Sequence, residues 1–171
     1  MNASVAAPEP DPTTDWHAPP ARAVRLQAAL WALALAALAL PPALLLLDLA
    51  AEGSRVPALR PAAAALLALA AALGALLGAR LRYQRWKLDG EGLWLRQGRL
   101  WWRETRVPAS RIQHVDLKHG PLQRRLGLAT LVVHTAAVHL GGVAVRGLDR
   151  ADAEALRDAL ARPLDEAGDA L

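Results

Sequence analysis

Two uncharged apolar runs leave this chain few ways to fold. The first, LQAALWALALAALALPPALLLL, covers Leu26 to Leu47, and the second, PAAAALLALAAALGALLGA, covers Pro61 to Ala79. A bilayer core ~30 Å thick is crossed by ~20 apolar residues at the helical rise of ~1.5 Å each. Both runs reach that length, and the short polar loop between them predicts a transmembrane hairpin. The ten Leu of the first run favour insertion by roughly 5 kcal/mol at ~0.5 kcal/mol each. The second run has six Leu among many Ala and gains roughly 3 kcal/mol on the same scale, so packing on the first helix must help it. Trp31 falls near an interface, and Pro41 and Pro42 predict a kink because each removes a backbone donor. Ala70, Gly74 and Gly78 lie four apart on a small-residue face. Such a face suits close packing inside the hairpin or pairing with a second copy.

Charge is unevenly placed along the 171 residues, whose net value is +4. Residues 80–146 carry thirteen Lys/Arg against four acids, whereas residues 147–171 carry three against seven. Arg22 and Arg25 precede the first run, and Arg80, Arg82, Arg85 and Lys87 follow the second. The connecting loop balances Arg55 and Arg60 against Asp48 and Glu52. Lys/Arg bias therefore places both termini in the cytoplasm and the loop outside, in a multi-pass protein of the bacterial inner membrane. A secretory signal is the competing reading, but the first run is too long for one and a second run follows it. The Ala, Leu and Arg bias suits a GC-rich bacterial genome. The absence of Cys excludes disulfides, thiolate metal sites and thiol catalysis.

Residues 1–21, rich in Pro, Ala, Asp and Thr, read as a disordered tail. After a hairpin over 22–79, the periodicity changes to short segments of Val, Ile, Leu and Trp divided by Gly, Pro and Asp. Strands are expected at Arg82–Leu88, Leu93–Gln97, Arg99–Val107, Ile112–Lys118, Leu128–Thr135 and Val138–Val145, with a helical turn at Leu122–Leu126. This is a small antiparallel barrel or sandwich. Trp86, Trp94, Trp101 and Trp102 are expected to fill its core or sit at the lipid interface rather than stack on nucleic-acid bases. A closing helix starts after Asp149, buries Ala153, Leu156 and Leu160, and ends near Arg162 because Pro163 follows. The strand domain thus spans 80–162 and a frayed tail 163–171, making an α+β chain.

Strands followed by one C-terminal helix is the order of a pleckstrin-homology (PH) domain. The stretch VPASRIQHVDLKHGPLQRRLGLATLVVHTA, Val107 to Ala136, resembles the signature of bacterial PH-domain membrane proteins, the YdbS-like group. Val107-Pro108, Ser110 to Val115, Gly120-Pro121-Leu122, Arg124 and Gly127 to Thr130 carry the likeness, as does Val145 to Leu148. This chain departs from the pattern at His119, where Gln is common, at Arg125, where an apolar residue is common, and at Ala136-Ala137, where glycines are common. The resemblance implies a transmembrane pair before the domain, a larger multi-PH-domain membrane protein as partner or self-association, and no established catalytic residues.

Little else carries chemistry. His114 with His119, and His134 with His139, show no known metal-ligand spacing, so neither metal nor cofactor is expected. His114 is expected to hold the strand–loop junction by a hydrogen bond. Ser110, His114 and Asp116 crowd one strand and make a poor triad. There is no phosphate loop and no nucleotide fingerprint. Arg111, Lys118, Arg124 and Arg125 form a candidate anion, lipid or partner contact near the Gly120 turn. The expected function is a non-catalytic binding and assembly module at the bilayer, with anionic-headgroup sensing as the alternative and no nucleic-acid partner.

Overall fold

The computed structural model describes residues 16–51, 57–135 and 142–168, with side chains as far as Ala161. It divides into two compact units, Pro19–Arg82 and a second that joins Tyr83 onward to the segment ending at Ala18.

The first unit is a helical hairpin. α1 (Ala21–Ala51) has 31 residues and α2 (Leu59–Gly78) has 20, followed by a 3-10 turn at Ala79–Tyr83. At ~1.5 Å per residue α1 is about 46 Å long, more than a bilayer core requires. It runs helical through Pro41 and Pro42, which leave the carbonyls of Ala37 and Leu38 without their usual donors. The residues buried between the helices are small: Ala23, Ala39, Ala43, Ala63, Gly74 and Gly78. The large ones face outward, with Leu33 and Leu69 each 68% exposed and Leu38 73%. That inverts a soluble protein and suits a lipid solvent. Gly74 and Gly78 set the approach. A Cβ at Gly74 would lie 2.6 Å from Ala32 Cα, and one at Gly78 would lie 2.5 Å from Ala28 Cα. The Ala70–Gly74–Gly78 face therefore serves packing inside the hairpin.

The second unit holds two three-stranded antiparallel sheets. β1 (Arg85–Asp89), β2 (Gly92–Gln97) and β3 (Arg103–Pro108) form one. β4 (Ile112–Lys118), β5 (Leu128–Thr135) and β6 (Val143–Asp149) form the other, with the five-residue α3 (Pro121–Arg125) between β4 and β5. Both sheets and the closing helix α4 (Arg150–Gly168) contribute to one core. Trp86, Leu93, Leu95 and Val107 come from the first sheet, Leu131, Val133 and Val145 from the second, and Ala153, Leu156 and Leu160 from α4. The Ala153–Leu156–Leu160 stripe matches expectation, as do the strands read at 93–97, 112–118 and 128–135. The first strand starts at Arg85 rather than Arg82, after the 3-10 turn, and the last runs on to Asp149 rather than ending at Val145; residues 138–141 of that expected strand lie outside the described residues. Among the described residues no strand pair joins the two sheets.

Four sequence expectations need correction. Arg99–Leu100–Trp101–Trp102 is not strand, since β3 starts only at Arg103. Gly98, at φ 106°, turns the chain so tightly that a Cβ there would meet the Trp101 carbonyl. Leu100 and Trp101 are left 89% and 94% exposed. Only Trp86 of the four Trp lies in the core; Trp94 faces out, with Lys87 5.0 Å and Arg106 4.9 Å from its ring centre. These three are cross-strand neighbours in register, Lys87↔Trp94↔Arg106. α4 continues through Pro163 to Gly168, because proline's fixed φ suits a helix and its cost is one backbone bond plus a local clash. Finally, part of the expected disordered tail is ordered. His17 N–H donates to Trp86 O at 2.8 Å and Trp86 N–H to His17 O at 3.1 Å. The His17 ring stacks on Trp86 at 4.4 Å, and Trp16 lies 4.1 Å from the Arg96 guanidinium.

Two predictions follow from the packing. Replacing Gly74 by Ile forces α1 and α2 apart and lowers the stability of the hairpin by about 1–3 kcal/mol, read as a lower denaturation midpoint in detergent. Asp89 gives the pH dependence. Burial opposes its ionisation as the largest single effect, but the Glu91 N–H at 3.0 Å and Lys87 Nζ at 3.3 Å together outweigh it and lower its pKa below 3.8. A carboxylate lowered on folding stabilises above its unfolded value and loses that contribution as pH falls through the folded one. The stability gap between the natural chain and Asp89→Asn is therefore full at neutral pH and closes as pH falls below 3.8, measured by urea denaturation across pH.

Candidate functional site

A basic cleft opens where β4, α3, β5 and α4 meet. Its volume is 570 Å³, and its walls are His119, Pro121, Arg124, Arg125, Gly127, Leu128 and Arg150. Local sequence explains its shape. Pro121 starts α3, where a missing N–H costs nothing. Gln123 reaches back so that Gly120 N–H donates to its Oε1 at 3.0 Å, and its Nε2 donates to Thr130 Oγ1 at 3.2 Å. One side chain thus ties the turn to β5. Arg150 N–H donates to Gly127 O at 3.0 Å, which fixes the start of α4 against the same loop. His119 Nδ1 lies 3.4 Å from Leu128 O, so Nδ1 carries the proton in that contact, because a carbonyl only accepts.

The electrostatics are lopsided. Three guanidiniums and an imidazole line the cleft, and no carboxylate is among its walls. Glu154 pairs with one of these cations, its Oε1 accepting from Arg150 Nε at 2.9 Å. That hydrogen bond holds the Glu154 carboxyl below its usual range and raises Arg150. Arg124 and Arg125 are exposed at the rim. Such an arrangement can bind an oxyanion by charge-assisted hydrogen bonds, but it presents no nucleophile or paired acid and base.

Of the four cations singled out in the sequence, the fold brings Arg124 and Arg125 together. Arg111 ends the 3-10 turn Ala109–Arg111 and Lys118 ends β4; both are exposed and neither is part of the cleft wall. Arg150 and His119 were missed as site residues. Arg150 is 25 positions beyond Arg125 in the chain, and no local pattern links them. His119 carried a signal, for it and Arg125 are two of the positions that depart from the family pattern, and both line the cleft.

The histidine groupings also change. His114 pairs across the sheet with His134, not with His119, and their rings stack at 4.1 Å. His114 is exposed and does not tie a strand–loop junction; it lies outward because the register shifts between Ile112 and His114. His139 is outside the described residues.

A helical hairpin of membrane-spanning length joined to two antiparallel sheets and a closing helix defines a membrane protein with a PH-like domain. The chain belongs to the family described as Bacterial PH domain, which it matches over residues 22–164. It is also 42% identical over 57 residues to the UPF0699 transmembrane protein YdbS of Bacillus subtilis (strain 168), a match covering 33% of this chain and 33% of that protein. The chain thus aligns with about a third of its curated relative's length. No solved structure matches it.

Weakening the scaffold tests how the cleft is held. Gln123→Ala removes two hydrogen bonds of ~0.5–1.5 kcal/mol each, so the expected loss is about 1–2 kcal/mol in urea denaturation, with faster amide exchange at Gly120.

Proposed function

We propose that this protein is a non-catalytic binding module anchored in the bacterial inner membrane, and that its PH-like domain recognises the phosphate of an anionic lipid headgroup in the basic cleft. The cluster of Arg124, Arg125 and Arg150 around one 570 Å³ opening carries this reading. Guanidiniums bind phosphate oxygens in a fixed, bidentate geometry, and anionic lipid is the phosphate source that a membrane-anchored domain meets at highest local concentration. The Lys/Arg bias around the hairpin supports a two-pass topology with cytoplasmic termini. The His17–Trp86 pairing supports the even number of passes, though not the side, because it joins the segment ahead of α1 to the strand after α2.

Assembly with a larger multi-PH-domain membrane protein, or with a second copy, is the second reading. It is favoured by Leu100, Trp101 and Trp102, 89%, 94% and 63% exposed on one short loop. Contiguous exposed aromatics mark interaction surfaces, and Trp is over-represented among residues that dominate binding energy.

One preparation tests both. The full chain is purified in mild detergent at low and high salt, and co-purifying lipid and protein are identified by mass spectrometry. On the lipid reading, anionic lipid is retained and falls with salt. Arg124→Ala and Arg125→Ala each weaken retention about tenfold or more, since a hydrogen bond to a charged group contributes ~1.5–3 kcal/mol. Unchanged retention in the double variant overturns it. A stoichiometric protein partner that resists salt and is lost on Trp101→Ser with Trp102→Ser establishes the assembly reading instead.

A further inference from the structure

The outer face of the second sheet carries three metal-ligating side chains that the cleft does not use. His114 and Asp116 project from β4 and His134 from β5. The irregular register between Ile112 and His114 creates the group. Ile112 is buried, but past the shift Val115 and Leu117 pack on the core. His114 and Asp116 are thereby turned outward onto the face where His134 stands. His114 and His134 are direct cross-strand partners, and Asp116 pairs with Val132, two residues before His134. Two hydrogen-bonded strands thus hold all three residues on a rigid platform.

We propose that His114, Asp116 and His134 bind one divalent transition-metal ion of the zinc class. Their donor atoms lie within 4.8 Å of one another. His134 Nε2 is 3.3 Å, and His114 Nε2 3.9 Å, from Asp116 Oδ2. For any three atoms so close, one point lies no more than about 2.8 Å from all of them. Zinc needs ~2.0–2.1 Å to nitrogen and carboxylate oxygen, so the donor atoms close by less than ~1 Å, with the exposed His114 ring turning out of its stack on His134 to aim its nitrogen at the ion. His134 Nε2 is shut off from solvent and makes no hydrogen bond, although Asp116 is near. A buried ring nitrogen left in that condition wants a partner, and a cation between it and the carboxylate provides one.

The donor set selects the class of ion. Two imidazoles and one carboxylate suit zinc, copper or nickel, whereas calcium and magnesium take oxygen ligands and a chain without Cys offers no soft thiolate. Three protein ligands leave an open position. His114 and Asp116, with side chains 59% and 49% exposed, leave the outward side to water or to a donor from a partner. The site is independent of the cleft, whose His119 belongs to a different constellation.

The test uses the full chain in mild detergent, without a polyhistidine tag and stripped by chelator, titrated with zinc chloride alone against a chromophoric zinc indicator. The expected result is one saturable zinc per chain, with His114→Ala, Asp116→Asn and His134→Ala each weakening binding at least tenfold and His119→Ala leaving it unchanged. All three altered residues are on the outer face, and an unchanged thermal transition of each metal-free variant checks that the fold is kept. Should a variant unfold, cobalt substitution in the natural chain reads the site directly, through the visible absorption of a nitrogen- and oxygen-ligated ion. No saturable zinc in the natural chain, equal zinc binding by the His114→Ala/His134→Ala double variant, or a colourless cobalt form overturns the proposal.

Discussion

Neither three-stranded sheet of this protein can shelter its own apolar face, and everything in the second unit depends on their sharing one core. Leu93, Leu131, Val133 and Val145 are fully buried, and they come from both sheets. A sheet that is apolar on one face must bury that face against another element. α4 completes the arrangement, with Ala153, Leu156 and Leu160 buried against the strands. Because the core uses the inward residues of every strand, the opposite faces carry contacts of another kind. Lys87, Trp94 and Arg106 make a cation–aromatic row on one sheet, while His114, Asp116 and His134 gather on the other. The cleft lies where α3 and the start of α4 leave the sheet.

The hairpin obeys the opposite rule. Its small residues are inside and its leucines outside, because lipid provides no drive to hide apolar surface and close backbone approach is what remains to hold two helices together. One chain therefore folds in two solvents, and composition announces each half. The runs from Leu26 and from Pro61 were legible because twenty uncharged residues have few alternatives. The core strands were legible from alternation, as at Ala129, Leu131 and Val133.

What escaped the sequence is long-range or brief. The meeting of His114 with His134 depends on strand register and one irregularity, and no spacing encodes it. Arg150 joins Arg124 and Arg125 only because α4 starts against the Gly127 loop. Leu100, Trp101 and Trp102 looked like strand by residue type, yet the positive φ of Gly98 ends β2 and throws them out. Trp16 and His17 form a single bridge with no period to detect, in a region whose proline content suggested disorder. Pro163 was read as a stop on a preference that a helix can override. The cleft was half legible, since the turn chemistry around Gly120 pointed to it and its distal wall did not.

The bridge from His17 to Trp86 bears on how copies of this chain meet one another. β1 is an edge strand of its sheet, and an open edge is a template for a neighbouring chain's strand. His17 already takes the backbone N–H and carbonyl of Trp86, so a strand arriving at that edge finds those hydrogen bonds spent. The segment ahead of α1 thus acts as a guard on the sheet, supplied by the chain itself.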